Sequence, residues 1–172
     1  MRMAELSVNI KKAKRSRNTD RATEIGKLAR LIKHAPQTLI IGNGGSFANA
    51  IHFANDLLAC GISAQTLDPA TLTATANDYG YEQVFSRWVR AVGKHGDLLV
   101  CLSGSGKSRN VLLAIREAKI RYMTVVSITG AYETKCTAAT QAHFAIRRGN
   151  DMQAAEEAQL VIAHQVMRAL KK

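Results

Sequence analysis

Two short loops contain the residue types that bind phosphate. The first is Gly42-Asn43-Gly44-Gly45-Ser46, and the second is Ser103-Gly104-Ser105-Gly106-Lys107-Ser108. Each follows an apolar run and precedes a segment of helical character, where unpaired backbone N–H groups favour an anion. Glycines allow a close backbone approach, and the serine hydroxyls add donors. The two loops together can hold one phosphate with neutral donors. For each loop alone, a tight turn with a serine cap is the alternative.

Neither loop matches a nucleotide-binding motif. A dinucleotide fingerprint starting at Gly42 requires glycine at position 47, which is Phe47. A Walker A loop ending at Lys107 requires glycine five residues before Gly106, and that residue is Cys101. The sequence therefore predicts no nucleotide cofactor.

Two pairs of polar side chains can do acid–base or metal chemistry. His52 and Asp56 are one helical turn apart, so they lie on one helix face and can share a proton or a metal ion. Glu156 and His164 are eight residues apart, about 80° around an ideal helix, so both can reach one site if the helix begins irregularly. The alternative is that His52 and His164 are ordinary, partly buried histidines.

Alternating elements position these residues. The apolar patterns predict strands at Thr38 to Ile41, Ile62 to Leu67, Asp97 to Leu102, Met123 to Thr129 and His143 to Ile146. They predict helices from Thr19 or Asp20 to about His34, Ser46 to Cys60, Tyr81 to Val92, Ser108 to Lys119, Glu133 to Thr140 and Met152 to Leu170. The aromatic residues Tyr81, Phe85 and Trp88 are predicted to lie in the core. Such alternation indicates an α/β fold with a mostly parallel sheet, and both loops fall at the carboxyl ends of strands, where ligands bind.

Length and charge predict one domain over residues 1–172 with a basic helical region over 1–36. The chain has 172 residues, is 47% hydrophobic and carries a net charge of +11. Residues 1–36 contain ten Lys/Arg against three acids, which gives +7 of that total. No aromatic residue accompanies these charges, so a solvated helix face or a subunit contact is expected rather than a nucleic-acid partner.

Apolar runs and cysteines predict the compartment. No apolar run approaches the roughly 18 residues that span a bilayer. Lys11, Lys12 and Lys14 are not followed by the apolar segment of a signal peptide. The three cysteines, Cys60, Cys101 and Cys136, lack CxxC spacing and are predicted to be buried thiols. We therefore expect a soluble cytoplasmic protein with no membrane partner.

The ordered set of motifs resembles the sugar isomerase (SIS) domain family, and within it the phosphoheptose isomerases. The resemblance rests on the two loops and on the segments His52-Phe53-Ala54, Asn77-Asp78-Tyr79-Gly80-Tyr81, Phe85-Ser86-Arg87 and Gly96-Asp97-Leu98-Leu99. It implies a three-layer, flavodoxin-like fold, usually in a homotetramer with active sites at subunit interfaces.

The resemblance also implies roles for individual residues. It implies a substrate-binding set of Asn43, Gly44, Ser46, Asp78, Ser103, Gly104, Ser105, Ser108 and Glu156. Asp56 and His164 match the catalytic positions. In some members a zinc ion is held by a set that corresponds to His52, Asp56, Glu156 and His164. Several residues differ from the family pattern: Asp56 replaces a glutamate, Glu156 a glutamine, Asn55 an acid, Gly104 a threonine and Lys107 an asparagine.

The implied activity is the interconversion of sedoheptulose 7-phosphate and D-glycero-D-manno-heptose 7-phosphate. That reaction moves a proton between adjacent carbons through an enediol, which requires a base and an acid. Asp56 is the candidate for the carbon proton transfer and His164 for the complementary role. The alternatives are a non-catalytic SIS module that regulates a replication initiator, an isomerase for another sugar phosphate, and a nucleic-acid binder that uses the basic arm.

Overall fold

The computed structural model describes residues 24–130, 135–136, 140, 142–145 and 151–171. Its strands are β1 (Thr38–Gly42), β2 (Ala64–Gln65), β3 (Leu98–Ser103), β4 (Thr124–Thr129) and β5 (Ala142–Ala145). Its helices are α1 (24–34), α2 (Gly45–Ala59), α3 (Pro69–Tyr79), α4 (Val84–Val92), α5 (Arg109–Ile120) and α6 (Met152–Leu170), with a 3₁₀ turn at Tyr81–Gln83.

The five strands form one sheet in the order β2-β1-β3-β4-β5, and every pairing is parallel. This is the order of flavodoxin-like folds, whose ligands bind where the strand order reverses, between β1 and β3. The β1–β3 register pairs Thr38 with Leu98 and Gly42 with Leu102, so both strands end at the same edge of the sheet. The predicted α/β fold with its parallel sheet is confirmed.

Helices cover both faces of the sheet and complete three layers. On one face, Ile40 and Val100 pack with side chains of α1, α2 and α6, such as Phe53. On the other face, Leu39 and Leu99 pack with side chains of α4 and α5. Because β1 and β3 are buried along their whole length, their sequences are continuous apolar runs rather than alternating ones.

Helix α3 has no counterpart in the sequence prediction. Its N-terminal signal is clear, because Pro69 stands at the start and the Asp68 carboxylate accepts a hydrogen bond from the Thr71 backbone N–H at 2.9 Å. None of its residues is buried, so it lacks the apolar periodicity by which the other helices are recognised. A surface helix rich in threonine and alanine is therefore missed by pattern alone.

Three other predictions need correction or fall outside the described residues. The strand expected over Ile62 to Leu67 is only Ala64–Gln65, at the edge of the sheet. The expected helix at Tyr81 starts as a 3₁₀ turn, and the Tyr81 side chain is exposed, whereas Phe85 and Trp88 are buried as predicted. The predicted cap at Thr19 or Asp20 and most of the helix at 133–140 lie outside the described residues. Within the described residues, no helix is both long and apolar enough to span a membrane.

Candidate active site

The first loop leaves β1 at Gly42 and enters α2 at Gly45. A β-carbon at Gly42 would lie 2.6 Å from the backbone oxygen of Ser46, so the turn has no room for a side chain. Gly44 has a φ of 56°, a conformation that favours glycine. Gly44 is the N-cap of α2 and makes no side-chain cap bond. The first N–H groups of α2 therefore have no capping side chain in the described residues, which suits an anion.

The second loop is folded by its own serines. The Ser103 Oγ accepts a hydrogen bond from the Gly106 N–H at 3.1 Å, and the Ser105 Oγ accepts one from the Lys107 N–H at 3.2 Å. Ser108 is the N-cap of α5, yet its hydroxyl makes no cap hydrogen bond. The simple serine-cap alternative therefore does not describe this turn, and the Ser108 hydroxyl remains available to a ligand.

Hydrogen bonds between side chains join the two loops. The Asn43 Nδ2 donates to the Asn110 Oδ1 at 2.9 Å, and the Asn110 Nδ2 donates to the Asn43 Oδ1 at 2.8 Å. The Tyr81 hydroxyl donates to the same Asn43 Oδ1 at 2.8 Å. The sequence analysis did not identify Asn110 as a site residue or Tyr81 as a partner of Asn43. The only signal for Asn110 in the sequence is its position two residues after Ser108.

A second group of polar residues lies along the contact of α2 with α6. These helices run in the same direction, because Glu156 lies at Gly45 and His164 lies at His52. The Asn49 Nδ2 bridges them by donating to the Glu156 backbone oxygen at 2.9 Å and to the Gln159 Oε1 at 3.3 Å. Because the two helices are parallel, Glu156 and His164, eight residues apart on α6, lie beside Gly45 and His52, seven residues apart on α2.

His52, Asp56 and His164 meet at this contact. The Nε2 atoms of the two histidines are 3.0 Å apart, and the Asp56 Oδ2 is 3.4 Å from His52 Nε2 and 3.7 Å from His164 Nε2. The His52 side chain is 49% exposed, the His164 side chain 35% and the Asp56 side chain 16%. The carboxylate is therefore the most buried of the three groups, and both imidazole rings are accessible to solvent. The group can pass a proton among its members or bind a cation.

The donor set fits a metal ion. One ligand atom from each of the three residues lies within 4.8 Å of the others. The Asp56 Oδ2 is buried and has no hydrogen-bond partner among the described residues. An unpartnered buried carboxylate oxygen is costly, and a cation would compensate for that cost. Two imidazole nitrogens and a carboxylate oxygen are common zinc ligands.

Glu156 lies apart from this group. Its carboxylate fills the space that a β-carbon at Gly45 would need, so it lies at the start of α2 rather than among the three ligands. The structure thus brings together three of the four residues predicted to bind metal and places the fourth at the first loop.

Three further predicted site residues lie in the loops or on α3. Gly104 packs against α6, because a β-carbon there would collide with the methyl group of Met152. Asp78 lies at the exposed end of α3, where its Oδ1 accepts a hydrogen bond from the Asn77 Nδ2 at 2.9 Å. Ser46 is 3% exposed and lies in the first turn of α2.

Of two basic residues at the second loop, one forms an ion pair with a described residue and the other does not. Arg109 is held by Glu82 through a contact of 2.6 Å between its Nε and the carboxylate. Lys107 is exposed and forms no ion pair within the described part of the chain. Lys107 therefore adds an uncompensated positive charge to the loop, which favours an anionic ligand.

Comparison with known proteins identifies the family. The family model described as SIS domain matches residues 7–130, which is more than half of the chain. The chain belongs to the SIS domain family. The SIS domain match includes both loops, α2 and the Asn43–Asn110 pair, whereas His164 and Glu156 lie beyond it.

Proteins similar in sequence to this chain include several phosphoheptose isomerases. The one from Thiobacillus denitrificans is 44% identical in an alignment of length 121 that covers 63% of this chain and 61% of the relative. The one from Cytophaga hutchinsonii is 39% identical in an alignment of length 134 that covers 74% of this chain and 69% of the relative. The solved structure of the Neisseria gonorrhoeae phosphoheptose isomerase matches with a TM-score of 0.77 at 27% identity, over 98% of this chain and 97% of that one.

The sequence alignments cover only part of the relatives. The aligned region spans 54% to 61% of three such relatives, among them the one from Thiobacillus denitrificans. The chain therefore aligns with less than two thirds of the length of these relatives.

Proposed function

We propose that the protein is an aldose–ketose isomerase that interconverts sedoheptulose 7-phosphate and D-glycero-D-manno-heptose 7-phosphate. The observation that carries the proposal is the meeting of His52, Asp56 and His164 beside two loops suited to phosphate. The likeness to named phosphoheptose isomerases supports the same substrate class.

The spacing of the site supports a long sugar phosphate. Seven residues of α2 separate Gly45 from His52, which is about 10 Å of helix rise. A phosphate held at the loops would leave an open sugar chain free to extend along α2 toward the histidines. A seven-carbon phosphate, with its carbonyl end remote from the ester, has the reach that this spacing requires.

We assign the proton transfer between carbons to Asp56 and the complementary acid or base role to His164. Isomerisation through an enediol removes a proton from one carbon and returns it to the next, while a proton moves between the two oxygens. In the metal-free site, His52, whose Nε2 lies 3.0 Å from that of His164, can exchange a proton with it. Phosphate binding at the loops would fix the substrate so that these groups meet the reacting carbons.

The proposal includes a zinc site formed by His52, Asp56 and His164, which fit the ion as described above. A bound zinc ion would polarise the substrate carbonyl and stabilise negative charge on its oxygen. Glu156 is the candidate fourth ligand by resemblance, and its side chain would have to leave Gly45 to serve.

We further propose a cytoplasmic homotetramer with active sites at subunit interfaces. The helices that carry the histidines also expose large apolar side chains, namely Ile51 and Leu58 on α2 and Val161 on α6. Exposed apolar side chains beside a half-exposed site are typical of a surface covered by another subunit. No nucleic-acid partner is proposed, because no observation in the described part of the chain requires one.

The direct test is conversion of sedoheptulose 7-phosphate by the purified protein, with added zinc and with a chelator. The proposal predicts an aldose phosphate whose rate of formation depends on the metal. Binding of the sugar phosphate without conversion would overturn the isomerase and favour a non-catalytic binding module. Conversion of a different sugar phosphate instead would keep the site and overturn the substrate.

A further inference from the structure

The amide groups of Asn43 and Asn110 face each other across the two phosphate loops. Asn43 follows β1, and Asn110 is the second residue of α5, after β3. Each amide donates to the other, at 2.9 and 2.8 Å. We propose that Asn110 is a positioning residue for the phosphate site, which orients the Asn43 amide so that the second N–H of its nitrogen is presented to the ligand. This inference rests on the phosphate site of the proposed function.

The orientation of the pair is fixed by a backbone group. The Val111 N–H donates to the Asn110 Oδ1 at 2.9 Å, and a backbone N–H can only donate. The Asn110 oxygen is therefore the atom beside the Val111 N–H, and the same oxygen accepts from the Asn43 Nδ2 while the Asn110 nitrogen donates to the Asn43 oxygen. As a result, the Asn43 nitrogen lies opposite the Asn110 oxygen and the Asn43 oxygen lies opposite the Asn110 nitrogen, so the backbone of α5 determines which way the Asn43 amide is turned.

Tyr81 completes this arrangement. Its hydroxyl donates to the Asn43 Oδ1, so that oxygen accepts two hydrogen bonds, from Tyr81 and from Asn110. A carbonyl oxygen has two lone pairs, so the acceptor capacity of Asn43 is used by the protein. Among the described residues, one hydrogen of the Asn43 Nδ2 has no partner. The amide therefore presents a donor, which attracts phosphate, rather than an oxygen, which would repel it.

Burial separates the two roles. Asn110 is 3% exposed, whereas Asn43 is half-buried. A ligand can reach Asn43, and Asn110 acts through it. The pair also fixes the distance between the loops, because it joins the end of β1 to the start of α5.

The test is a double-mutant cycle in which the affinity for phosphate is measured. Asn43→Ala, Asn110→Ala and the double variant are titrated with inorganic phosphate and with sedoheptulose 7-phosphate by calorimetry. Loss of one positioned hydrogen bond predicts that each single variant raises Kd about 10-fold. Because Asn110 acts through Asn43, the double variant should match Asn43→Ala. Inorganic phosphate binding needs no turnover, so a failure of the isomerase assay leaves this test intact.

A second variant guards against misfolding of Asn110→Ala. Tyr81 is exposed, so Tyr81→Phe removes one hydroxyl with little effect on packing. It should raise Kd about threefold. Tyr122→Phe makes the same chemical change at an exposed tyrosine after α5, at the opposite edge of the sheet, and should leave Kd unchanged.

Three results would overturn the inference. A further loss of affinity on adding Asn110→Ala to Asn43→Ala would make Asn110 a direct ligand contact. An unchanged Kd in the folded single variants, even with a lower Tm, would reduce the pair to a structural role. Failure of the wild-type protein to bind either phosphate compound would remove the site itself.

Discussion

The Nε2 atoms of His52 and His164 lie 3.0 Å apart, although the residues are 112 positions apart in the chain. Their rings meet edge to face, with centroids 5.2 Å apart and planes at 63°. At this distance one Nε2 must donate and the other accept, because two N–H groups or two lone pairs would repel each other. Asp56 lies within 4 Å of both nitrogens, so the three groups share a site for one proton or one cation.

Replacement of His164 by alanine should abolish turnover while leaving phosphate affinity nearly intact. A positioned acid or base contributes about 100- to 10,000-fold in rate, and His164 lies at His52, about 10 Å of helix rise along α2 from the first loop. Steady-state kinetics and calorimetry measure the two effects. The matched control is His34→Ala, on α1 near the opposite edge of the sheet, which should keep full activity. Wild-type turnover in His164→Ala would contradict the assigned role.

Replacement of Asp56 by asparagine should abolish zinc binding and turnover without lowering Tm. The change keeps the side-chain size and removes a carboxylate whose buried Oδ2 has no hydrogen-bond partner among the described residues, so folding loses little. Zinc content and thermal melts check the result. Glu157→Gln makes a like change on the exposed face of α6 and should preserve zinc binding. Retention of zinc by Asp56→Asn would show that the metal lies elsewhere.

Gly42→Ala should cost about 1 to 3 kcal/mol of stability, because the new methyl group would collide with the backbone of Ser46. Gly26→Ala is the matched control, since a β-carbon there meets nothing within 4 Å and the residue lies inside α1. It should gain about 0.5 to 1 kcal/mol from helix propensity. Denaturant unfolding measures both changes, and equal stability of the two variants would be inconsistent with this description of the loop.

Only Cys60 should react with a thiol reagent in the folded protein at neutral pH. Burial raises the pKa of Cys136 to about 11. Burial, and then the nearby Cys136, raise the pKa of Cys101 well above its usual range. The reactive form of a thiol is the thiolate, so both stay inert until unfolding. The prediction of three buried thiols is wrong for Cys60, which is the C-cap residue of α2 and is partly exposed. A fast native reaction in a Cys60→Ser variant would contradict this prediction.

Much of the fold could be predicted because β1 and β3 are continuous apolar runs that end at glycine or serine turns. The i,i+4 spacing of His52 and Asp56 also gave a local signal. The contact of His164 with His52 and Asp56 could not be predicted from sequence spacing, because it depends on the parallel packing of α2 and α6. The resemblance, rather than the pattern, pointed to that residue.

Other features depend on contacts that a sequence does not display. Glu156 lies at Gly45 because glycine leaves room there, and Asn110 meets Asn43 because β1 and β3 are neighbours in the sheet. The single-domain organisation over residues 1–172 and the roles of the site residues stay predictions.

The most direct test of the proposed isomerase measures whether solvent deuterium enters the product, as well as whether product forms. The purified protein is incubated with sedoheptulose 7-phosphate in deuterium oxide, and the sugar phosphates are examined by NMR. Proton transfer through an enediol predicts an aldose phosphate that carries deuterium on the carbon next to its carbonyl, with no such product from His164→Ala. Absence of both aldose and deuterium, with the substrate bound, would contradict the proposed activity.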